Sequence, residues 1–179
     1  RTATTAAALM IGLALVTFVA VFAEGIQASI DDAVDKSFAG DLTLQHEDGF
    51  SPIPAAAAET VKTVDGVGPV SSLRFGDADV EETGDTSFIT GIVPDEALGV
   101  FEFDWDEGSD GIVSGMTRDD ALVDQAWATD NDVEVGDTLT VTTPTSREAT
   151  YTVRGKLNDT ADLWGDFVVT QQALEEDFH

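Results

Sequence analysis

This chain contains no cysteine, which removes disulfide staples, thiolate metal sites and a cysteine nucleophile together. Histidine is nearly absent as well: His46 and His179 are the only two. A nucleophile–base pair would need one of them. His46 stands beside Glu47 and Asp48, and His179 closes the sequence, so neither sits in a catalytic pattern. Glycine-rich phosphate loops are missing too, since neither GxGxxG nor a GxxxxGK run ending in Ser or Thr occurs. The segment therefore hydrolyses no nucleotide, and it is expected to be no enzyme and to hold no cofactor.

Positive charge is the next shortage. Eight Lys and Arg stand against 35 Asp and Glu, a formal net charge of −27. Phosphate backbones need a basic face, so nucleic acid is excluded as a partner, and electrostatic docking to anionic lipid is excluded with it. Like charges at this density repel one another in dilute buffer. At molar salt the screening length falls to about 3 Å and most of that cost vanishes. Such an acid-rich surface points to an organism living in high salt. Acidic clusters then read first as solvated surface. Residues 104–110 (DWDEGSD) miss the EF-hand template, because Gly108 occupies a ligand position, Ser109 replaces the turn glycine and Gly115 replaces the bidentate glutamate. The Asp130-Asn131-Asp132 cluster is similarly short of a template, and no metal site is expected.

Against these absences stands one long apolar run, residues 6–23 (AAALMIGLALVTFVAVFA), with Thr17 its one polar side chain. Its 18 residues would span roughly 27 Å as a helix, close to the hydrocarbon thickness of a bilayer. It has no polar face, and its small residues suit close packing with other membrane helices. The run predicts a transmembrane helix whose spanning positions include Ala6, Leu9, Gly12, Leu15, Phe18 and Phe22. A signal peptide cleaved after Ala23 and a helix buried in a soluble core are the other readings. Arg1 precedes the run, while Glu24, Asp31, Asp32 and Asp35 follow it. The positive-inside rule then places the N-terminus in the cytoplasm and everything after about Ala23 outside the cell membrane.

Beyond the run, Ile26, Ile30, Val34 and Phe38 recur at four-residue spacing, with acids between them. They predict a helical stalk with one apolar stripe, ending at Gly40. Residues 1–39 thus form helix and stalk, and residues 40–179 an extracytoplasmic domain.

In that domain, residues 41–46 (DLTLQH) alternate and predict a strand with Leu42 and Leu44 inward. Residues 55–64 predict a helix behind Pro54. Strands are expected at 69–75 and 78–82, and a strong one at 86–93 after the Gly84-Asp85 turn, the last pair forming a hairpin. A turn-helix at 94–100 precedes Phe101, Phe103 and Trp105, whose alternation with acids requires cover on one side. Residues 108–111 read as loop. A strand at 121–123, a helix at 125–129 anchored by Trp127, and a hairpin of 138–143 with 148–156 follow. A strand at 167–170 and a helix at 171–178 close the chain. Strand–helix–strand followed by hairpins predicts an α+β fold.

Several stretches, in order, resemble ABC transporter permeases of the FtsX/MacB/LolC-like class. These are residues 1–16 (RTATTAAALMIGLALV), 91–95 (GIVPD), 107–109 (EGS), 121–124 (ALVD), 135–139 (VGDTL) and 153–155 (VRG). The resemblance implies the first membrane helix of a permease unit followed by an extracytoplasmic domain of the MacB-like periplasmic core type. It implies two partners, a cytoplasmic ABC ATPase and a second permease half or subunit. It also implies that ATP-driven motion travels along the extended first helix to an external domain handling lipid, lipoprotein, peptide or drug cargo. The stripe Ile26–Ile30–Val34–Phe38 would be the coupling face. The alternatives are a membrane-anchored or secreted binding protein, and an FtsX-like regulator recruiting a cell-wall hydrolase.

Overall fold

The computed structural model describes residues 10, 12–19, 39–47, 51–158 and 163–178. The chain divides into two units, Arg1–Lys36 and Ser37–His179. In the first unit, residues 12–19 are helical and exposed all round, including Gly12, Leu15 and Phe18. Among the described residues no helix is long and apolar enough to cross a membrane. Ala6, Leu9 and Phe22 of the expected span lie outside the described residues. So do Ile26, Ile30, Val34 and Phe38 of the expected stalk.

The second unit is a mixed α/β domain built on seven strands and five short helices among its described residues. In chain order these are α1 (Ala56–Lys62), β1 (Leu73–Val80), β2 (Thr86–Ile92), α2 (Pro94–Ala97), β3 (Trp105–Glu107), α3 (Asp110–Ser114), β4 (Asp120–Asp124), α4 (Gln125–Asp130), β5 (Thr138–Thr142), β6 (Glu148–Leu157), β7 (Phe167–Thr170) and α5 (Gln171–Asp177). The sheet runs β3-β6-β4-β7-β2-β1-β5, and β5 pairs back onto β6. Six strands therefore close into a ring, with β3 appended to β6. Closure shortens the exposed edges that an open sheet would present, leaving the outer side of β3 and the first part of β1 unpaired.

The ring explains the two cores. All six ring strands send side chains into one cluster: Ala78 and Val80, Ile89, Ala121 and Val123, Leu139 and Val141, Tyr151 and Val153, Phe167 and Val169. Ala128 of α4, Val133 after it, and Ala173 and Leu174 of α5 complete it. The intervening residues Ile92, Leu122, Leu157 and Val168 point the other way, into a second cluster. That cluster is covered by Ala97, Val113 and the aromatics Phe101, Phe103 and Trp164. Phe103 stacks on Trp164 with ring centroids 4.9 Å apart, and Phe101 meets the same indole edge-on at 5.1 Å. The alternating aromatics thus find the cover they require. Both faces of β4 and β7 are buried, so those strands read as continuous apolar runs.

A bulge lets β6 serve both cores. Ala121 pairs with Val153 but the next residue, Leu122, pairs with Gly155. Arg154 is the extra residue, and it reverses the facing of everything after it. Val153 accordingly faces the ring interior and Leu157 the outer cluster. Gly155 is required there because a Cβ would sit 2.8 Å from the Glu107 carbonyl oxygen and 2.9 Å from Trp105 Cζ3.

The hairpin of β1 and β2, the hairpin of β5 and β6, the strand at β4, the strand at β7 and the closing helix all stand where the sequence places them. Four expectations need correction. Residues 41–46 form no strand, and Leu42 and Leu44 are 91% and 60% exposed. No strand of the sheet pairs with them among the described residues. The strands expected at 69–75 and 78–82 are one continuous strand, β1, which runs through Gly76 because the Phe178 ring and Leu174 pack over the missing side chain. Residues 108–111 are not all loop: α3 begins at Asp110 and turns the fully buried Val113 inward. Finally, α1 is shorter than residues 55–64 and buries none of its side chains.

Candidate functional site

Carboxylates are the abundant chemical groups, and the structure shows how the best-placed ones are used. Asp120 Oδ2 accepts hydrogen bonds from the Thr117 amide (2.8 Å) and hydroxyl (2.7 Å). Asp124 caps α4 by accepting from the Trp127 amide at 2.9 Å, and Asp137 accepts from the Glu134 amide at 2.8 Å. Asp166 accepts from the Phe88 amide at 2.8 Å, and Glu82 receives the Thr140 amide on both oxygens. These are backbone-satisfying roles, not a converging set.

In the first of the two acidic stretches singled out in the sequence, two carboxylates accept hydrogen bonds from within the fold. Trp105 Nε1 donates to Asp110 Oδ1 at 2.8 Å, and Asn158 Nδ2 donates to Asp104 Oδ1 at 3.3 Å. Asp132 adopts a positive φ of 55° at the turn after α4. Among the described residues no group of three or more His, Asp or Glu is placed to hold a metal ion. His46 is exposed, and His179 lies outside the described residues.

The scarce cations show a pattern that sequence reading missed. Arg118 Nη2 lies 2.6 Å from Asp177 Oδ1 and Nη1 lies 3.1 Å from Glu176 Oε2. Its Nε is 3.4 Å from Asp119 Oδ1, too poorly aligned to count as a hydrogen bond. Arg147 Nη1 donates to the Glu176 carbonyl at 3.2 Å, and Arg74 Nη1 pairs with Glu175 at 3.0 Å. Three of the six bases after residue 39 therefore grip α5. The Tyr151 hydroxyl donates to Asp177 Oδ2 at 3.1 Å from inside the ring. Burial of the phenol, reinforced by the charge of Asp177, holds its pKa well above the ordinary tyrosine value. The neighbouring acids, Asp177 first, raise that of Arg118. Only tertiary structure brings residues 74, 118, 147 and 151 together, and no local sequence signal marks them.

The remaining bases are engaged too: Lys62 with Glu59 and Glu96, Lys156 with Glu134, and Arg154 at 3.8 Å from Asp120. In the first unit, Met10, Leu13, Leu15, Val16, Phe18 and Val19 are each more than half exposed. Thr17 there donates its hydroxyl to the Leu13 carbonyl at 2.9 Å, so its polar group is satisfied within the helix.

The fold is a mixed α/β domain built on a ring of strands, with half of its bases committed to the closing helix. The chain belongs to the MacB-like periplasmic core domain family, whose description it matches over residues 2–178. A search of curated proteins finds no match. Among solved structures the chain is similar to the extracellular domain of the noncanonic ABC-type transporter YknZ from Gram-positive bacteria. Identity is 18% over 69% of this chain, with a TM-score of 0.49, and this chain covers 65% of that one.

Proposed function

We propose that this chain is the first membrane helix, stalk and extracytoplasmic domain of an ABC transporter permease subunit. Residues 6–23 span the cell membrane with the N-terminus in the cytoplasm. Ile26, Ile30, Val34 and Phe38 line a stalk that carries motion outward to residues 40–179. The ATP is hydrolysed by a separate cytoplasmic ATPase, a second permease half completes the membrane unit, and the external domain handles cargo without catalysing a reaction.

The observation that carries this reading is the extent of the family match. It begins at residue 2 and ends at residue 178, so the apolar run and the acidic domain belong to one family unit. The all-round exposure of residues 12–19 supports it, since an apolar helix without a polar face needs an apolar surrounding.

Two measurements on the full chain test it. Membranes carrying the protein, washed at high pH, should retain it, and a glutamate-specific protease added to intact cells should digest the acidic domain. Release by the wash, or protection from the protease, overturns the topology. Co-expressed with an ABC ATPase from the same organism, the complete protein should purify from detergent with that ATPase bound. Recovery without it counts against the permease reading.

A further inference from the structure

An aspartate followed by glycine can rearrange without any enzyme, because glycine has no Cβ to shield its amide nitrogen from the neighbouring carboxyl group. Three such pairs occur here: Asp48-Gly49, Asp65-Gly66 and Asp110-Gly111. The first lies outside the described residues. The fold puts the other two in opposite settings.

Asp110 is restrained on both sides of the reaction. Its Oδ1 accepts a hydrogen bond from Trp105 Nε1 at 2.8 Å, and the residue opens α3, whose first turn fixes its backbone. Gly111 is the next helical residue, and its carbonyl accepts from the Ser114 hydroxyl at 3.1 Å. For the Gly111 nitrogen to reach the Asp110 carboxyl carbon, the side chain must leave the indole and the helix start must unwind. Asp65 and Gly66 carry none of these restraints. Both are exposed in the turn between α1 and β1. Among the described residues no hydrogen bond or ion pair holds the Asp65 carboxylate or the Gly66 amide. Gly66 sits at φ 89°, and a Cβ built there meets nothing within 4 Å, so the carboxyl group has open space to swing through. One backbone bond closes the turn, from the Val67 amide to the Val64 carbonyl at 3.2 Å. Exposed turns held this lightly open locally at small cost.

We propose that Asp65-Gly66 is a site of spontaneous isomerisation, at which the folded chain converts Asp65 to isoaspartate while Asp110 is spared. The Gly66 nitrogen bonds to the Asp65 carboxyl carbon. A carboxyl oxygen departs as water, carrying the amide proton and one proton from solvent, and a five-membered succinimide remains. Water then adds to one of the two imide carbonyls, and the new carboxylate returns the proton. Opening at the original main-chain carbonyl leaves the chain running through the side-chain carbon. One water is lost and one regained, so no oxidant, reductant or co-substrate enters, and the net charge is unchanged. The product has one more main-chain bond between residues 65 and 66, which spoils the geometry of the Val64–Val67 turn bond. Because α1 buries none of its side chains, it then hangs chiefly on the Lys62–Glu96 pair at 2.6 Å. β1 is untouched, since its register with β2 begins at Leu73. The inference goes beyond the proposed function and stands whether or not residues 6–23 lie in a membrane.

The test uses the full chain in membranes, incubated warm at neutral pH in heavy-oxygen water and then digested in ordinary water for mass spectrometry. Each succinimide that forms and hydrolyses leaves one heavy oxygen behind. The peptide carrying Asp65 should gain mass several times faster than the peptide carrying Asp110. It should also accept a methyl group from an isoaspartyl methyltransferase, and Asp65→Glu should abolish both signals. In urea, where neither Trp105 nor α3 holds Asp110, the two rates should converge. Cleavage behind Glu59 by a glutamate-specific protease should be several times faster in aged than in fresh protein, and unchanged by ageing in Asp65→Glu. No heavy oxygen at Asp65, or equal gain at Asp65 and Asp110 in the folded chain, overturns the site. A difference that persists in urea belongs to neighbouring side chains and overturns the role of the fold. Unchanged cleavage behind Glu59 overturns the loosening of α1.

Discussion

Tyr151 is the only tyrosine in the chain, which makes one side chain readable by absorbance alone. It is 1% exposed inside the strand ring and donates to Asp177, so its phenolate is disfavoured by burial first and by the adjacent carboxylate second. Because the folded pKa lies above the unfolded value of about 10, the stabilisation is complete below that value. It drains away as pH climbs through the folded one. An alkaline titration should therefore show no tyrosinate band near pH 10, and the band should rise only together with loss of the folded circular-dichroism signal. A band that titrates near 10 while the fold persists would show the phenol is reached by water. Tyr151→Phe should abolish the band altogether, and its alkaline loss of the folded signal should lie at higher pH than the parent's, because no phenol is left to ionise on unfolding. That Tyr151 and Val153 face inward is legible from alternation alone. That Tyr151 answers an acid 26 positions on is not, because the pairing depends on how α5 closes the ring.

Elements tell a similar story with a different division. The β1–β2 hairpin is legible because Gly84, at φ 75°, makes its turn, and the helix starts are legible because Asp124 and Thr170 supply caps. The segment 41–46 misleads because alternation reports only that a strand could bury one face, not that a partner strand lies beside it. The bulge at Arg154 leaves no mark that distinguishes Gly155 from a loop glycine. Its consequence is nevertheless sharp. In Gly155→Ala the new methyl meets the Glu107 carbonyl and the Trp105 ring, which packs 6.0 Å from Phe103. Neither can yield without moving β3 off β6. Overpacking of this kind costs about 1–3 kcal/mol, and the urea midpoint should fall with the slope unchanged. A variant as stable as the parent would mean that β3 is held by something other than its contact with β6.

At the scale of the whole molecule, charge decides the conditions under which this fold persists. The domain must hold a strongly negative surface together, and three of its six bases are committed to one helix. Among the described residues most of the acids form no ion pair with a base, so their mutual repulsion is relieved chiefly by mobile cations. Residues 40–179 expressed alone should melt at a higher temperature in molar KCl than in dilute buffer. Two effects of salt could give that sign, and they separate by shape. Screening is nearly complete once the Debye length has shrunk to about 3 Å near 1 M, so its benefit levels off. Exclusion of salt from apolar surface keeps strengthening burial as concentration rises. A melting curve that climbs steeply below about 1 M and then flattens assigns the gain to charge. A straight climb assigns it to burial. A melting temperature that does not move with salt removes the argument that this surface was shaped for a saline environment.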